Sequence, residues 1–106
     1  MITRGLSILP LAASLLLALP SCAVKPKPSE LEALEVLRRS PSAGLAAKKS
    51  PPLVKIADER LKKSQDEWQD GDLEKSVNDA LMGQAKLKHA IALVDQDSAK
   101  ARVAKA

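Results

Sequence analysis

Large aromatic side chains are almost absent from this sequence, which contains Trp68 and neither Phe nor Tyr. A buried aromatic side chain removes about 150–250 Å² of surface from water, so a chain without them lacks the dense core typical of a sheet protein. The apolar residues that remain are mainly Ala, Leu and Val, interspersed with Lys, Glu and Asp. Ala, Leu, Lys and Glu favour helix. The composition therefore predicts an all-α fold with a modest core.

The first 21 residues have the order of a secretory signal peptide. One positive charge, Arg4, precedes an apolar stretch over residues 6–19, and L-P-S-C occupies residues 19–22. Secretory signals combine a basic start, an apolar core of about 7–15 residues and a small residue at the cleavage point. Because a membrane span needs about 20 apolar residues, this stretch is too short to remain as a transmembrane helix. We therefore predict a removable signal peptide over residues 1–21.

The only cysteine, Cys22, follows this segment directly. The sequence L-P-S-C resembles the lipobox of bacterial lipoproteins, in which Leu19 lies three residues before the cysteine and the small Ser21 precedes it. The resemblance implies cleavage between Ser21 and Cys22, diacylglycerol on the Cys22 sulfur and, usually, acylation of the new amino group. Two or three acyl chains anchor a protein stably, whereas one binds only marginally. The alternative is an ordinary signal peptide followed by a free thiol.

Residues 22–28 are predicted to form the lipidated N-terminus and a tether. An Asp after the cysteine would resemble an inner-membrane retention signal, but residue 23 is Ala. We therefore expect an outer-membrane protein that faces the periplasm if the cell is Gram-negative. The segment K-P-K-P at residues 25–28 favours extended polyproline II, a semi-rigid spacer expected to lift the domain off the bilayer.

The helical domain is predicted to span residues 29–94. Ser29 is a candidate N-cap for a first helix that reaches Arg39, and S-P-S-A-G at residues 40–44 should end it. Residues 45–49 fit either a helical turn or a loop. A second helix begins at S-P-P, residues 50–52, where Ser50 can cap and proline is tolerated in the first turn. Four- and three-residue steps give it an apolar face of Leu53, Ala57, Leu61, Ser64 and Trp68.

The segment Q-D-G-D at residues 69–72 predicts a tight turn. Gly71 can adopt positive φ and end the second helix, and Asp72 can cap the third. A turn this short makes the two helices antiparallel neighbours. The expected architecture is thus a small antiparallel helical hairpin or a three-helix arrangement.

The third helix is predicted from Leu73 to about Val94, with an extension to Lys105 left open. Small residues should allow close approach of another helix, and residues 95–106 form a polar tail that we expect to fray. The expected apolar face comprises Leu73, Val77, Ala80, Leu87, Ile91 and Val94, widened by Leu81, and the small residues are Ala80, Gly83 and Ala85.

Two family resemblances cover this region. The stretches A-K-K-S-P-P-L-V-K-I-A-D-E-R-L and W-Q-D-G-D, followed by the helix to Val94, resemble small envelope lipoproteins with an Ala-rich helical hairpin of unknown function, over roughly residues 43–94. That resemblance implies the hairpin and no activity. W-Q-D-G-D-L-E-K-S-V-N-D-A-L is also similar to the turn of one tetratricopeptide hairpin. Because such stacks need about three repeats, we attribute this similarity to shared helix-turn-helix physics.

No catalytic residue, metal ligand or cofactor site is predicted. His89 is the only histidine, it lies away from the apolar face, and no second His or Cys could join it in a compact metal site. Glycine-rich phosphate loops and hydrolase motifs are missing from the sequence. Asp58 with Lys62 and Glu59 with Lys63 are four apart, as in helix-surface ion pairs. We therefore expect a protein that is not an enzyme.

The charge pattern also limits the partners. The full chain carries +4, spread over helices of mixed sign, whereas nucleic-acid binders concentrate basic residues on one face. We expect no nucleic-acid partner. Trp68 is expected to close the hairpin core, or else to contact a partner, since Trp is enriched at binding hot spots.

The functional expectation is a membrane-anchored envelope lipoprotein whose helices form a protein-interaction or spacer module, with self-association as a further possibility. The alternative is a structural lipoprotein attached to peptidoglycan, resembling the major murein lipoprotein in having a lipidated helix with a Lys-rich end. Unlike that family, this chain has Lys105 followed by Ala106.

Overall fold

The computed structural model describes residues 25–105, which form four α-helices. The helices are α1 (Ser29–Arg38), α2 (Pro41–Lys49), α3 (Pro51–Gln69) and α4 (Leu73–Lys105), and this part of the chain contains no strand. The all-α fold class is confirmed. The predicted signal peptide, with the cleavage and lipidation positions Ser21 and Cys22, lies outside the described residues.

Ser29, the predicted N-cap, is already the first residue of helix α1. Pro28, with φ −58° and ψ 139°, occupies the N-cap position, and its carbonyl accepts a hydrogen bond from the Glu32 amide at 3.1 Å. The assignment of Ser29 as the N-cap was therefore wrong. Because Ser29 already has helical geometry, its hydroxyl contacts the adjacent Glu30 carboxylate at 3.3 Å instead of capping the helix.

Residues 45–49, for which the sequence left two alternatives, belong to helix α2. Ser40 organises its start, because the Ser40 hydroxyl accepts from the Ala43 amide at 3.3 Å and donates to the Leu37 carbonyl of α1 at 2.6 Å. Pro41 follows at the first helical position, where its missing amide costs nothing. One serine therefore ends α1 and begins α2.

Helix α3 starts with two prolines, as expected, but without the predicted side-chain cap. Ser50 occupies the N-cap position and its side chain makes no capping hydrogen bond. On the predicted apolar face, Ala57 and Ser64 are buried, whereas Leu53, Leu61 and Trp68 are partly buried and pack at the edge of the core. Val54 is buried as well, so the buried face is rotated slightly toward it.

The turn between α3 and α4 confirms the sequence interpretation. Gly71 has φ 87°, and it is the only described residue with positive φ. The Asp72 carboxylate accepts from the Lys75 amide at 3.3 Å, which caps α4. The hydrogen bonds between Ser64 and Ser76 and between Arg60 and Asp79 show that residue numbers fall in one helix as they rise in the other. The two helices therefore form an antiparallel hairpin.

The buried face of α4 differs from the predicted one. Ala80 and Leu87 are buried as expected, but Leu73 is 41% exposed and Leu81 is 49% exposed. The assignment of these two leucines to the core was wrong, as was the role of Ala85 in close packing, because Ala85 is exposed. The interior face carries small residues instead, because α3 approaches too closely for leucine over most of its length. These additional buried residues are Ser76, Asp79, Gly83 and Ala90.

The core lies where α1 and α2 pack against the α3–α4 hairpin. Leu31, Leu34 and Leu87 are its largest fully buried side chains. A Cβ placed on Gly83 would lie 2.6 Å from Leu34 Cδ2 and 3.4 Å from the Ala57 carbonyl oxygen. Helices α1, α3 and α4 therefore meet at Gly83, where only a glycine fits without adjustment.

The ion pairs connect helices as well as successive turns of one helix. Arg38 of α1 donates to Asp58 of α3 at 2.7 Å, and Lys62 pairs with Asp66. The predicted pair between Asp58 and Lys62 was therefore wrong, because tertiary packing brings Arg38 to Asp58.

Helix α4 extends past the hairpin. Ser64 lies beside Ser76 and Ala57 beside Gly83, and this register places the first residue of α3, Pro51, opposite about residue 89. Residues 95–105 are all exposed and remain helical through Lys105. The sequence leaves open whether the helix ends near Val94 or continues to Lys105, and in the structure it continues to Lys105.

Candidate functional site

Trp68, the predicted partner-contact residue, lies near the end of α3 and packs against the core cluster. Its indole is partly buried, and the Nε1 atom is buried without a hydrogen-bond partner among the described residues. The Lys27 ammonium lies 5.0 Å from the ring centroid, within the range of a cation–π interaction. Burial and this lysine both support a role for Trp68 in closing the core. A contact with a partner stays a prediction.

The tether therefore folds back onto the domain. Lys27 Nζ donates to Glu35 Oε1 of α1 at 2.8 Å, and Gln65 of α3 donates to the other oxygen of Glu35 at 2.9 Å. Burial alone would raise the pKa of Glu35, but the hydrogen bonds from Lys27 and Gln65 outweigh it and lower the pKa. This carboxylate thus joins the tether, α1 and α3.

A second tether lysine lies on the α3–α4 turn. A Cβ placed on Gly71 would collide with the Lys25 ammonium. Pro28 keeps the extended geometry that the K-P-K-P segment predicts. We call the set formed by Lys25, Lys27, Glu35, Trp68 and Gly71 the tether contact. It holds Lys25 and Lys27 against the end of the domain that contains the α3–α4 turn.

On the α3–α4 interface two serines pair reciprocally. Ser64 Oγ donates to the Ser76 carbonyl at 2.7 Å, and Ser76 Oγ donates to the Ser64 carbonyl at 2.8 Å. Both side chains are fully buried. Because both buried hydroxyls are satisfied, the pair brings the two backbones together without a desolvation penalty.

Beside the serines lies a pair of carboxyl groups. Asp79 of α4 is 7% exposed and accepts from Arg60 of α3 at 2.7 Å. Glu67 of α3 forms the other member, and its Oε1 atom is buried without a donor among the described residues. The Glu67 carboxyl lies within hydrogen-bonding reach of the Asp79 carboxyl, and a hydrogen bond between two carboxyl groups requires a proton on one of them. We call the set Arg60, Ser64, Glu67, Ser76 and Asp79 the polar layer.

The pKa values of the two carboxyl groups are shifted in opposite directions. The hydrogen bond to Asp79 raises the pKa of Glu67, and partial burial and the charge of Asp79 act in the same direction. The hydrogen bond from Glu67 lowers the pKa of Asp79, against the effect of burial, and Arg60 lowers it further. The pair therefore holds one proton over an intermediate pH range, as like charges at close range require.

The polar layer was missed at the sequence level. The helical spacing predicts Ser64 on the buried face, where it lies, but it gives no signal for Glu67 and Asp79 because they lie on different helices. Carboxyl pairs occur in acid–base catalysis. Here Asp79 is paired with Arg60 and lies beside Glu67 at the interface between α3 and α4.

The other candidate groups lie apart from both sets. His89 is exposed on α4, as expected. Within residues 25–105, no group of three or more His, Cys, Asp or Glu side chains is placed to hold a metal ion. An open groove of about 430 Å³ is lined by residues of α1, α2 and α3, among them Ala47, Val54 and the Arg38–Asp58 ion pair. No Ser, Thr, Cys or His side chain is among the described residues that line the groove.

The comparisons with known proteins add no family. No helix among the described residues is long and apolar enough to cross a membrane. No protein-family model matches the chain, and neither a curated protein nor a solved structure shows a significant match.

Proposed function

We propose that this protein is a membrane-anchored envelope lipoprotein, without enzymatic activity, whose helices form a protein-interaction or spacer module. The observation that carries the proposal is the L-P-S-C sequence at residues 19–22, placed directly after a short apolar stretch and containing the only cysteine of the chain. In a Gram-negative cell, the protein is placed in the outer membrane, facing the periplasm.

The use of the charged groups supports a non-enzymatic role. Asp58 and Asp79 are each paired with an arginine from a neighbouring helix or the same hairpin, and Glu35 holds the tether. These three carboxylates are engaged in ion pairs within the domain, which supports a structural role for them.

The shape of α4 supports the spacer or interaction module. Its 33 residues correspond to a rod about 50 Å long at 1.5 Å per residue. Residues 95–105, its last three turns, are exposed, so they are accessible to other envelope components.

Mass spectrometry of the native N-terminus tests the proposal. We expect a chain that begins at Cys22 and carries diacylglycerol and a fatty acid. A chain retaining residues 1–21, or one with an unmodified thiol at residue 22, would contradict the proposal.

A pair of variants provides the genetic version of this test. In cells fed a clickable fatty acid, wild type and Ala23→Ser should be labelled, because both keep Cys22. Cys22→Ala should not be labelled. Equal labelling of Cys22→Ala would show that any lipid lies elsewhere.

A second candidate function is attachment to the cell wall. It is favoured by the exposed helical end of α4, which carries Lys100, Arg102 and Lys105. Digestion of purified peptidoglycan with a muramidase should then release this protein with a covalent muropeptide. Complete extraction of the protein by detergent would count against this candidate.

A further inference from the structure

We propose that the α3–α4 turn is the end of the domain that faces the lipid bilayer, and that α4 projects away from the membrane. This orientation rests on the proposed lipid anchor at Cys22. It assigns a membrane-facing surface to the tether contact and a distal, accessible end to α4.

The first step is the position of the tether. The Lys25 ammonium lies against Gly71 in the turn, and Lys27 lies over Trp68 and bonds to Glu35 at 2.8 Å. Two successive lysines thus hold the same segment to the same end of the hairpin. The Lys25 backbone therefore lies no farther from Gly71 in the turn than the length of its own side chain.

The second step is covalent reach. Two residues, Ala23 and Val24, separate Cys22 from Lys25, so the two Cα atoms are three residue steps apart, and an extended chain spans at most about 3.6 Å per step. The Cα atom of Cys22, whose side chain carries the acyl group, therefore lies within about 11 Å of the Lys25 Cα atom. That reach is short compared with the length of about 50 Å of α4, which starts at the turn. The anchor is consequently close to the turn and far from Lys105.

The third step concerns the way α4 leaves the membrane. Helices that lie in the bilayer interface have one broad apolar face. In the extension of α4 the charged residues Asp95, Asp97, Lys100, Arg102 and Lys105 are all exposed, and at 100° per residue they are distributed around the helix. Without an apolar face, this segment has no reason to lie flat on lipid.

The turn itself has no strong net charge. Asp70 and Asp72 flank Gly71, and Lys25 and Lys75 lie nearby. The covalent anchor, rather than attraction to anionic lipids, therefore determines the orientation.

Energy transfer from single fluorophores to acceptor lipids tests the orientation. The acylated full-length protein is placed in phosphatidylethanolamine–phosphatidylglycerol vesicles with a labelled phospholipid in the outer leaflet. The sulfur of Cys22 is blocked by lipid, so a dye reacts only with a cysteine introduced by Glu74→Cys, beside the turn, or by Lys100→Cys. Both positions are exposed, and they are about 39 Å apart along α4.

We expect transfer from position 74 to be at least about twofold higher than from position 100, because of this separation along the axis. Equal transfer, or higher transfer from position 100, would overturn the orientation even if the protein floats with the vesicles. A protein that carries no acyl group and does not float would instead overturn the proposed anchor, and the orientation with it.

A matched pair of lysine variants tests whether the tether contact sets the orientation. Lys27→Ala removes the ammonium from both Trp68 and Glu35, and it should reduce the difference between the two label positions. Lys55→Ala, at an exposed position of α3, should preserve the difference. If Lys27→Ala keeps its helical circular dichroism and the full difference in transfer, the orientation does not come from this contact.

Discussion

Gly83 is the residue with the least free space around it. A Cβ there would lie 2.6 Å from Leu34 Cδ2 and 3.3 Å from Arg60 Cβ. Leu34 is 1% exposed, so its side chain has little room to move away. Gly44, within α2, has no heavy atom within 4 Å of the equivalent position. The two glycines therefore differ only in their surroundings.

This difference gives a prediction for matched variants. Gly44→Ala should stabilise the protein by about 0.5–1 kcal/mol, the usual gain from glycine to alanine inside a helix. Gly83→Val should destabilise it by about 1–3 kcal/mol through overpacking. Urea denaturation followed by circular dichroism measures both. A Gly83→Val protein as stable as wild type would show that the three helices are not closely packed at this residue.

The carboxyl pair of the polar layer makes stability depend on pH. The raised pKa of Glu67 stabilises the fold while Glu67 is protonated, so this contribution is present below about pH 4.3, the ordinary glutamate value, and is lost as pH rises through the raised pKa. Asp79 has a lowered pKa, so its contribution is lost as pH falls toward that lower value. We expect maximal stability from the pair between the two pKa values.

Glu67→Gln isolates the contribution of Glu67 to the pH dependence of stability, because the amide can still donate to Asp79 and does not ionise. The urea midpoint of wild type should fall as pH rises through the raised pKa of Glu67, and the midpoint of Glu67→Gln should fall less. Glu59→Gln, at an exposed position of the same helix, should follow wild type. Parallel profiles for wild type and Glu67→Gln would contradict the shared proton.

At the scale of the element, the helix starts show which sequence signals depend on local geometry. Ser40 and Ser50 both precede proline at a helix start. Ser40 is extended, with φ −70° and ψ 153°, and its hydroxyl reaches the Ala43 amide. Ser50 has φ −134° and ψ 61° and makes no capping hydrogen bond. The residue type is the same, but the backbone conformation decides whether it caps.

We therefore expect Ser40→Ala to cost about 0.5–2 kcal/mol, the range for loss of an N-cap. Ser50→Ala should change stability by less than about 0.5 kcal/mol, as for an unremarkable surface position. Thermal unfolding of the two variants beside wild type makes the comparison. A larger loss for Ser50→Ala than for Ser40→Ala would contradict the observed caps.

The element α4 also shows the limit of periodicity. The 3.6-residue pattern correctly placed Ala80 and Leu87 inside, and it correctly made Gly83 a site of close approach. It misplaced Leu73 and Leu81 because it favours large apolar residues, whereas the distance between α3 and α4 selects small ones. The Ser64–Ser76 pair joins the two helices at one such close contact, which hydrophobicity does not reveal.

At the scale of the whole molecule, packing is concentrated in the first two-thirds of α4. Leu87 and Ala90 are fully buried, whereas residues 95–105 are exposed. The free energy of unfolding of a chain that ends after Asp95 should therefore lie within about 1 kcal/mol of the wild-type value, since tolerance of truncation follows burial. A chain that ends after Lys86 should lose more than about 3 kcal/mol, because it also lacks core side chains. Chemical denaturation of both truncations decides between these outcomes.

The sequence by itself determined the all-α class, the turn at Gly71, the cap at Asp72 and the exposed His89, because each depends on local propensity or on one residue's conformational freedom. It also supports the lipid-anchor proposal through residues 19–22. Only the tertiary structure decided the tether contact, the Arg38–Asp58 pair and the polar layer of Glu67 and Asp79. These join residues from different elements, and their distances depend on how closely the helices pack, which the order of residues along one helix does not specify.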